Sequence, residues 1–211
     1  MKIRLHLVSL LLCFCFSSCA QPEIELEASS DSSNTVAIIQ PFGQQLSEAA
    51  LALTEVKVTY DPSYFSIAYP GGDVPSHLGV CTDVVIRAYR LLDIDLQELV
   101  HQDMKNHFGL YPTIWGLTKT DSNIDHRRVP NLMVFFNRNG QSLALSQESE
   151  DYVAGDIVCW RLSGGMTHIG VVVEQMNGGE TRPLIVHNIG AGQVLQDCLF
   201  DYEIIGHYRY N

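Results

Sequence analysis

The stretch GVCTDVVIRAYR, residues 79–90, decides how this chain of 211 residues is organised. Its apolar residues recur at the spacing of one helix face, which predicts a helix that begins at Cys81. The partial positive charge at a helix N-terminus favours a thiolate, whereas Asp83 in the same first turn disfavours it. Cys81 is therefore a candidate nucleophile. The alternative is a small buried thiol packed under the glycine-rich loop at residues 69–75.

Helical spacing extends to both sides of this stretch. The apolar residues predict an amphipathic helix over residues 46–58 and a second one over residues 96–108. A third helix is predicted over residues 126–136, where Pro130 either starts or interrupts it.

The second half of the chain has the character of a β-sheet. Its segments are short, rich in Val, Ile, Tyr and Trp, and separated by Gly and Asn turns. They cover residues 155–160, 167–174, 184–189 and 203–210. A helical half followed by a stranded half predicts an α+β domain with an antiparallel sheet.

The N-terminal residues have the layout of a secretion signal. Lys2 and Arg4 precede an apolar run that is too short to cross a bilayer, since a spanning helix needs about 20 apolar residues. We expect residues 1–18 to be removed as a signal peptide. The residues before Cys19 resemble a bacterial lipobox, which implies that Cys19 is lipidated.

This layout divides the rest of the chain in two. We expect residues 19–44 to form the lipidated N-terminus and a flexible tether. The tether is expected to be flexible because it is rich in Ser, Glu and Asn. Residues 45–211 form the folded domain. Ala20 after the cysteine implies an outer-membrane lipoprotein that faces the periplasm, and plain cleavage to a soluble periplasmic protein is the alternative.

The charge of the chain limits its partners. The formal net charge is −11, and loss of Lys2 and Arg4 with the signal changes it to −13. Nucleic acid is not expected as a partner, since neutralising phosphates needs a basic surface.

Three cysteines remain in the folded part: Cys81, Cys159 and Cys198. In an oxidising periplasm Cys159 is free to pair with Cys198, but an odd number leaves at least one free thiol. A free thiol in that compartment is a liability unless it is buried or used.

Two histidines at strand ends are candidate partners for Cys81. A cysteine nucleophile needs a base within hydrogen-bond reach, and the base needs an orienting group. His168 begins the predicted strand at residues 168–173, and His187 ends the next one. If these strands form a hairpin, both imidazoles lie at one end of the sheet. Asn188, which points to the opposite face, is the alternative third residue.

The order of these features resembles the papain-like cell-wall peptidases of the NlpC type. The shared features are Tyr69 before paired glycines, Cys81 at a helix start, a Gly-Asp step into the sheet, and the strands that carry His168 and His187. The resemblance implies that Cys81 is the nucleophile, His168 the general base and acid, and His187 the orienting residue. It also implies that Tyr69 lies near the oxyanion, beside the backbone N–H of Cys81.

A narrower similarity covers roughly residues 46–211. The chain resembles the bacterial family called domain of unknown function 1287, of the same superfamily. The stretches that carry this similarity are residues 79–90, 124–132, 151–160 and 205–210. Val80 stands where the NlpC family usually has Asp, and Thr82-Asp83 stands where it has Ser-Gly, which leaves the substrate open.

Residues 125–131, DHRRVPN, add two adjacent arginines. Because guanidinium groups bind carboxylates in a bidentate fork, Arg127 and Arg128 are candidate ligands for the carboxylates of a peptidoglycan stem peptide. The alternative is that they pair with carboxylates of this acidic protein, while Asp125 caps the next helix. No HExxH or paired CxxC is present, so neither a metal nor another cofactor is expected.

Together these features predict a cysteine amidase or peptidase of the bacterial cell envelope. Its predicted partner is peptidoglycan or a related cell-wall peptide, and it reaches the membrane only through its N-terminal lipid. Two alternatives stay open: a catalytically silent module that binds muropeptides or an envelope partner, and a thioester-forming acyltransferase.

Overall fold

The computed structural model describes residues 40–178 and 182–211. The predicted signal peptide, the lipidation site Cys19 and most of the tether lie outside the described residues. Within the described ranges, no helix has the length and apolar character needed to cross a membrane.

Four α-helices occupy the first part of the described chain: α1 (Phe42–Leu53), α2 (Cys81–Arg90), α3 (Leu96–Asn106) and α4 (Val129–Asn139). Helix α1 begins and ends before the expected 46–58, and Pro41 at its N-cap marks the start. The helix expected over 126–136 is divided, since a 3₁₀ turn, Asp125–Arg127, comes before α4. Pro130 lies in the first turn of α4, where its missing N–H costs no hydrogen bond.

The strands are β1 (Thr59–Tyr60), β2 (Leu78–Gly79), β3 (Gln141–Ser142), β4 (Ile157–Arg161), β5 (Thr167–Met176), β6 (Pro183–His187), β7 (Val194–Gln196) and β8 (Glu203–Arg209). In the described part of the chain, six of them form one antiparallel sheet in the order β3-β8-β4-β5-β6-β7, and β1 pairs with β2 in parallel. The predicted α+β class with an antiparallel sheet is confirmed. Strands β1, β2, β3 and β7 were not predicted, because two or three residues carry no readable alternation.

Alternation along β4 divides its residues between two cores. Ile157 and Cys159 pack on the side of the sheet that carries α1, α2 and α4. Val158 and Trp160 pack on the other side, which residues 198–204 cover. Because β4 is buried on both faces, its apolar run is nearly continuous.

Asp156, immediately before β4, fixes the sheet. Its carboxylate is fully buried and accepts hydrogen bonds from Arg209 at 2.7 and 2.9 Å and from His207 Nε2 at 2.9 Å, both on β8. Burial opposes the charge, but these bonds outweigh it and hold the pKa of Asp156 below its ordinary value. The Gly-Asp step therefore has a structural role.

We expect Gly155→Ala to lower the free energy of unfolding by about 3 kcal/mol or more. Gly155 has a φ of +87°, and a Cβ there would lie 2.3 Å from the Cα of Gly43 in α1. The matched control is Gly109→Ala, because nothing lies within 4 Å of the Cβ position at Gly109. Urea unfolding compares the two variants. Equal unfolding midpoints would contradict the close approach of the two backbones.

Candidate active site

Cys81 is the first residue of α2, as predicted. Its thiol is buried. The sulfur accepts hydrogen bonds from the backbone N–H of Ile169 on β5 and from the backbone N–H of Thr82 in its own helix. Asp83 accepts a hydrogen bond from the backbone N–H of Val80 at 2.7 Å, which secures the start of the helix. The thiol is therefore held between the helix N-terminus and the beginning of β5.

The protonation state of Cys81 differs from the expectation. Burial raises the pKa of the Cys81 thiol to about 12, although the backbone N–H of Ile169 opposes this, and the Asp83 charge raises it further. The N–H groups of Cys81 and Thr82 at the helix N-terminus lower the pKa and the Asp83 charge raises it, both as expected. Burial outweighs these N–H groups, so the net shift is upward and favours the thiol. Cys81 rests as a neutral thiol, so any attack by its sulfur needs a base that takes the proton.

A cavity of about 230 Å³ opens at Cys81. Its walls come from the segment around β1, from the residues that precede α4, and from Thr167, which begins β5. The side chains most relevant to chemistry are those of Tyr60, Trp115, Arg127, Arg128 and Thr167. This cavity is the space in which a substrate group would meet the sulfur.

The tyrosine at this cavity is Tyr60 and not Tyr69. Burial raises the pKa of Tyr60, with further contributions from Cys81 and Asp83, which shows how near these groups lie. Tyr69 packs edge-on against His101 on α3, with ring centroids 4.9 Å apart, and is not among the residues that line the cavity. The loop that follows Tyr69 is bonded to α3 through Gly72 N–H and Gln97 Oε1 at 2.8 Å, which holds it there.

Sequence reasoning missed Tyr60 because its position depends on a contact between distant residues. Strand β1 pairs in parallel with β2, and the register places Tyr60 beside Gly79, two residues before Cys81. No motif marks Tyr60 in the extended segment, whereas the paired glycines drew attention to Tyr69.

The structure brings His168 and His187 together, as the predicted hairpin required. His168 Nε2 lies 2.8 Å from His187 Nδ1, and both side chains are buried. His187 Nε2 lies 3.1 Å from Gln196 Oε1 on β7. Gln196 is thus a third member of this row, and no sequence signal pointed to it.

The hydrogen bonds of this row determine which nitrogen of His168 is free. Burial lowers the pKa of His168 to about 3, and His187 adds to the shift; burial also lowers the pKa of His187. Both imidazoles are therefore neutral. Gln196 Oε1 can only accept, so His187 Nε2 carries the hydrogen and His187 Nδ1 accepts from His168 Nε2. His168 Nδ1 is left with the lone pair that a base needs.

The contact between thiol and base is indirect. Within the described residues, no hydrogen bond joins Cys81 Sγ to the His168 ring. Ile169 packs with Cys81 in the helix-side core, whereas His168 packs beside Trp160, its cross-strand partner. The backbone N–H of Ile169, one residue after His168, donates to the Cys81 sulfur and connects the two segments. Catalytic hydrogen bonds are often long in a free enzyme and tighten when substrate binds.

Asn188, the other candidate for the third position, has structural contacts. Its side-chain nitrogen donates to the carbonyl of Gly79 at 3.2 Å, and its oxygen accepts from the N–H of Gly190 at 3.1 Å. It supports the strand just before Cys81, and in the described part of the chain its side chain makes no hydrogen bond with His168.

The disulfide that the sequence left open is not formed. Cys159 and Cys198 are both free and buried, and they lie in the cores on opposite sides of the sheet. Cys198 Sγ lies 3.7 Å from His187 Nε2, so a second thiol borders the histidine pair.

The two adjacent arginines have different environments. Arg127 is buried, and its Nε and Nη2 each donate to the Asp83 carboxylate at 2.9 Å. It pairs with the protein's own carboxylate and is not available to clamp a substrate. Asp125 does not cap α4; its carboxylate accepts from the N–H of Asp121 at 2.6 Å. Arg128 instead lies over the ring of Trp115, at 4.1 Å from the ring centroid.

In the two ranges that the structure covers, no three side chains of His, Cys, Asp or Glu are placed to hold a metal ion.

Comparisons with known proteins support the family similarity. Residues 47–210 match the model of a family described as "Domain of unknown function (DUF1287)". A protein of Escherichia coli (strain K12), "Uncharacterized protein YijF", is 46% identical over 211 residues, which are 100% of this chain and 98% of that protein.

Two solved structures from Trichomonas vaginalis are also similar. NlpC1 is 18% identical with a TM-score of 0.45, over 82% of this chain and 46% of that one. NlpC2 is 17% identical with a TM-score of 0.41, over 79% of this chain and 47% of that one. The chain therefore spans about half the length of each.

Proposed function

Because this chain belongs to the family described as domain of unknown function DUF1287, a description that assigns no chemistry, we propose its activity from the site. The protein is a cysteine hydrolase that cleaves an amide bond in peptidoglycan or a related cell-wall peptide. One observation carries this proposal: Cys81 opens a helix at a cavity, next to a strand end where the neutral pair of His168 and His187 leaves a basic nitrogen free.

The first half of the reaction forms a thioester. His168 Nδ1 takes the proton of the Cys81 thiol as the sulfur attacks the amide carbonyl carbon. The carbonyl oxygen becomes an oxyanion that the backbone N–H of Cys81 and the Tyr60 hydroxyl stabilise, in the place that the family resemblance gave to Tyr69. The C–N bond then breaks, and the proton on His168 passes to the leaving amine.

The second half restores the enzyme. His168 takes a proton from water, and the resulting hydroxide attacks the thioester carbonyl. The C–S bond breaks, the sulfur recovers a proton from His168, and a carboxylic acid leaves. His187 holds the His168 ring throughout, and Gln196 holds His187.

The proposal includes the place of action. Residues 1–18 act as the signal peptide, Cys19 carries the lipid, and the domain at residues 45–211 faces the periplasm from the outer membrane. The support for this is the layout of the N-terminal sequence.

The test is digestion of purified sacculi by the full chain, with soluble products identified by mass spectrometry. The wild type is expected to release peptide fragments, and Cys81→Ala is expected to release none. Cys159→Ala is the matched control, because it removes another buried thiol of the same core. If Cys81→Ala releases the same fragments, or the wild type releases none, the hydrolase proposal fails. Fragments that carry an added amine indicate acyl transfer instead.

A second candidate function is supported by two observations at the same site. Burial raises the pKa of Cys81 to about 12, and no hydrogen bond joins its sulfur to the His168 ring in the residues described. Both fit a module that binds muropeptides without cleaving them. In the same experiment, this function predicts that wild type and Cys81→Ala sediment with sacculi equally well and that neither releases a fragment.

A further inference from the structure

Arg128 is one of the cationic side chains that line the cavity. In the described part of the chain its guanidinium makes no hydrogen bond and no ion pair, and its Nη1 is buried with no acceptor. The guanidinium lies over the Trp115 ring, with its central carbon 4.1 Å from the ring centroid. A buried donor without an acceptor is costly, so this arrangement calls for a ligand that supplies one.

The surrounding charges do not meet this need. Asp121 and Asp125 act on Arg128 only at a distance, while burial of the guanidinium lowers the pKa of Arg128. The Asp125 carboxylate is already bonded to the N–H of Asp121 at 2.6 Å and faces His101 at 3.7 Å. The other arginine of the pair, Arg127, is held by Asp83. Although the net charge of the chain is negative, neither Asp121 nor Asp125 accepts a hydrogen bond from the Arg128 guanidinium.

We propose that Arg128, held over the ring of Trp115, binds a single carboxylate of the substrate, close to the amide that Cys81 attacks. A guanidinium presents parallel N–H groups that match a carboxylate in a bidentate fork, and the contact with Trp115 restrains where the Arg128 guanidinium lies. Arg128 and Cys81 line one cavity of about 230 Å³, so the carboxylate and the amide belong to the same or adjoining residues of a peptide. The substrate class is thus a peptide with a free carboxylate beside the scissile amide.

This inference rests on the proposed function, because the bound peptide is taken to be the substrate. Binding of the carboxylate is nevertheless tested without catalysis. The full chain with Cys81→Ala is titrated with N-acetyl-alanyl-alanine and with its C-terminal amide, and binding is followed by Trp fluorescence and by calorimetry. The free acid is expected to bind at least about tenfold more tightly than the amide. Adding Arg128→Gln should remove this preference, whereas Arg128→Lys should keep part of it.

The matched control is Arg161→Gln, because Arg161 is an exposed arginine paired with Glu203 outside the cavity. It should keep the full preference for the free acid. Circular dichroism of each variant confirms that it is folded; if Arg128→Gln does not fold, Arg128→Lys and the acid-amide comparison decide. Equal binding of acid and amide, no binding of either, or an undiminished preference in Arg128→Gln overturns the proposal. If carboxylate binding is found and sacculi are not cleaved, the hydrolase proposal fails while this inference stands.

Discussion

Replacing His168 by alanine is expected to lower kcat/KM for amide cleavage by about 10³-fold. The reason is that the buried Cys81 thiol is neutral and must lose its proton to a base. The hydrogen bonds of the histidine pair leave the lone pair of His168 Nδ1 free to take that proton. Gln196→Leu is the graded comparison. It removes the acceptor that sets the His187 tautomer, so we expect a loss of about 10- to 100-fold, typical of groups that orient a functional histidine.

The pH profile separates this mechanism from a merely structural role. Burial lowers the pKa of His168 to about 3 from an ordinary value of 6.5, so its imidazole stays neutral and basic as the pH falls through 6.5. The wild-type kcat/KM should therefore show no loss near pH 6.5. Initial rates of fragment release measure this. A decline centred near pH 6.5, or a His168→Ala variant as fast as wild type, would rule out the neutral histidine pair as the base.

Replacing Arg127 by methionine is expected to lower the free energy of unfolding by about 3 to 5 kcal/mol. Arg127 and Asp83 are 6% and 2% exposed, and the change leaves the Asp83 carboxylate buried without its partner. The double variant Asp83→Asn with Arg127→Met should lose less than Arg127→Met alone, because it leaves no buried charge. Urea unfolding measures both.

The control for this prediction is an ion pair on the surface. In the Arg161–Glu203 pair the side chains are 54% and 61% exposed, so Arg161→Met should change the free energy of unfolding by no more than about 1 kcal/mol. If Arg127→Met costs no more than Arg161→Met, the Asp83–Arg127 pair does not hold the cavity wall to the helix start.

The parts of the fold that follow local rules could be predicted from the sequence. Helix α2 begins at Cys81 because its apolar spacing begins there, and β5 and β6 follow runs of Val and Ile. The antiparallel pairing of these two consecutive strands places His168 and His187 at one end of the sheet. These predictions needed only residues that are near each other in the chain.

The features that the sequence did not predict correctly depend on packing between distant segments. Arg127 pairs with Asp83, which lies 44 residues earlier in the chain. No pattern in the sequence around Arg127 could therefore indicate that its charge is neutralised. Tyr60 reaches the cavity through a two-residue parallel pairing. The pKa of Cys81 is raised by burial, which depends on packing between segments that are distant in the chain. This effect outweighs that of the helix N-terminus, which could be predicted from the sequence.

The thiol of Cys198, 3.7 Å from His187, has a practical consequence for inhibitor work. An alkylating reagent or a peroxide that reached Cys198 would displace the histidine pair, and the proposed activity would then be lost without any change at Cys81. Inactivation by such reagents identifies the nucleophile when it is measured in a Cys198→Ser background. In that background the mass of the modified peptide assigns the reacting sulfur directly.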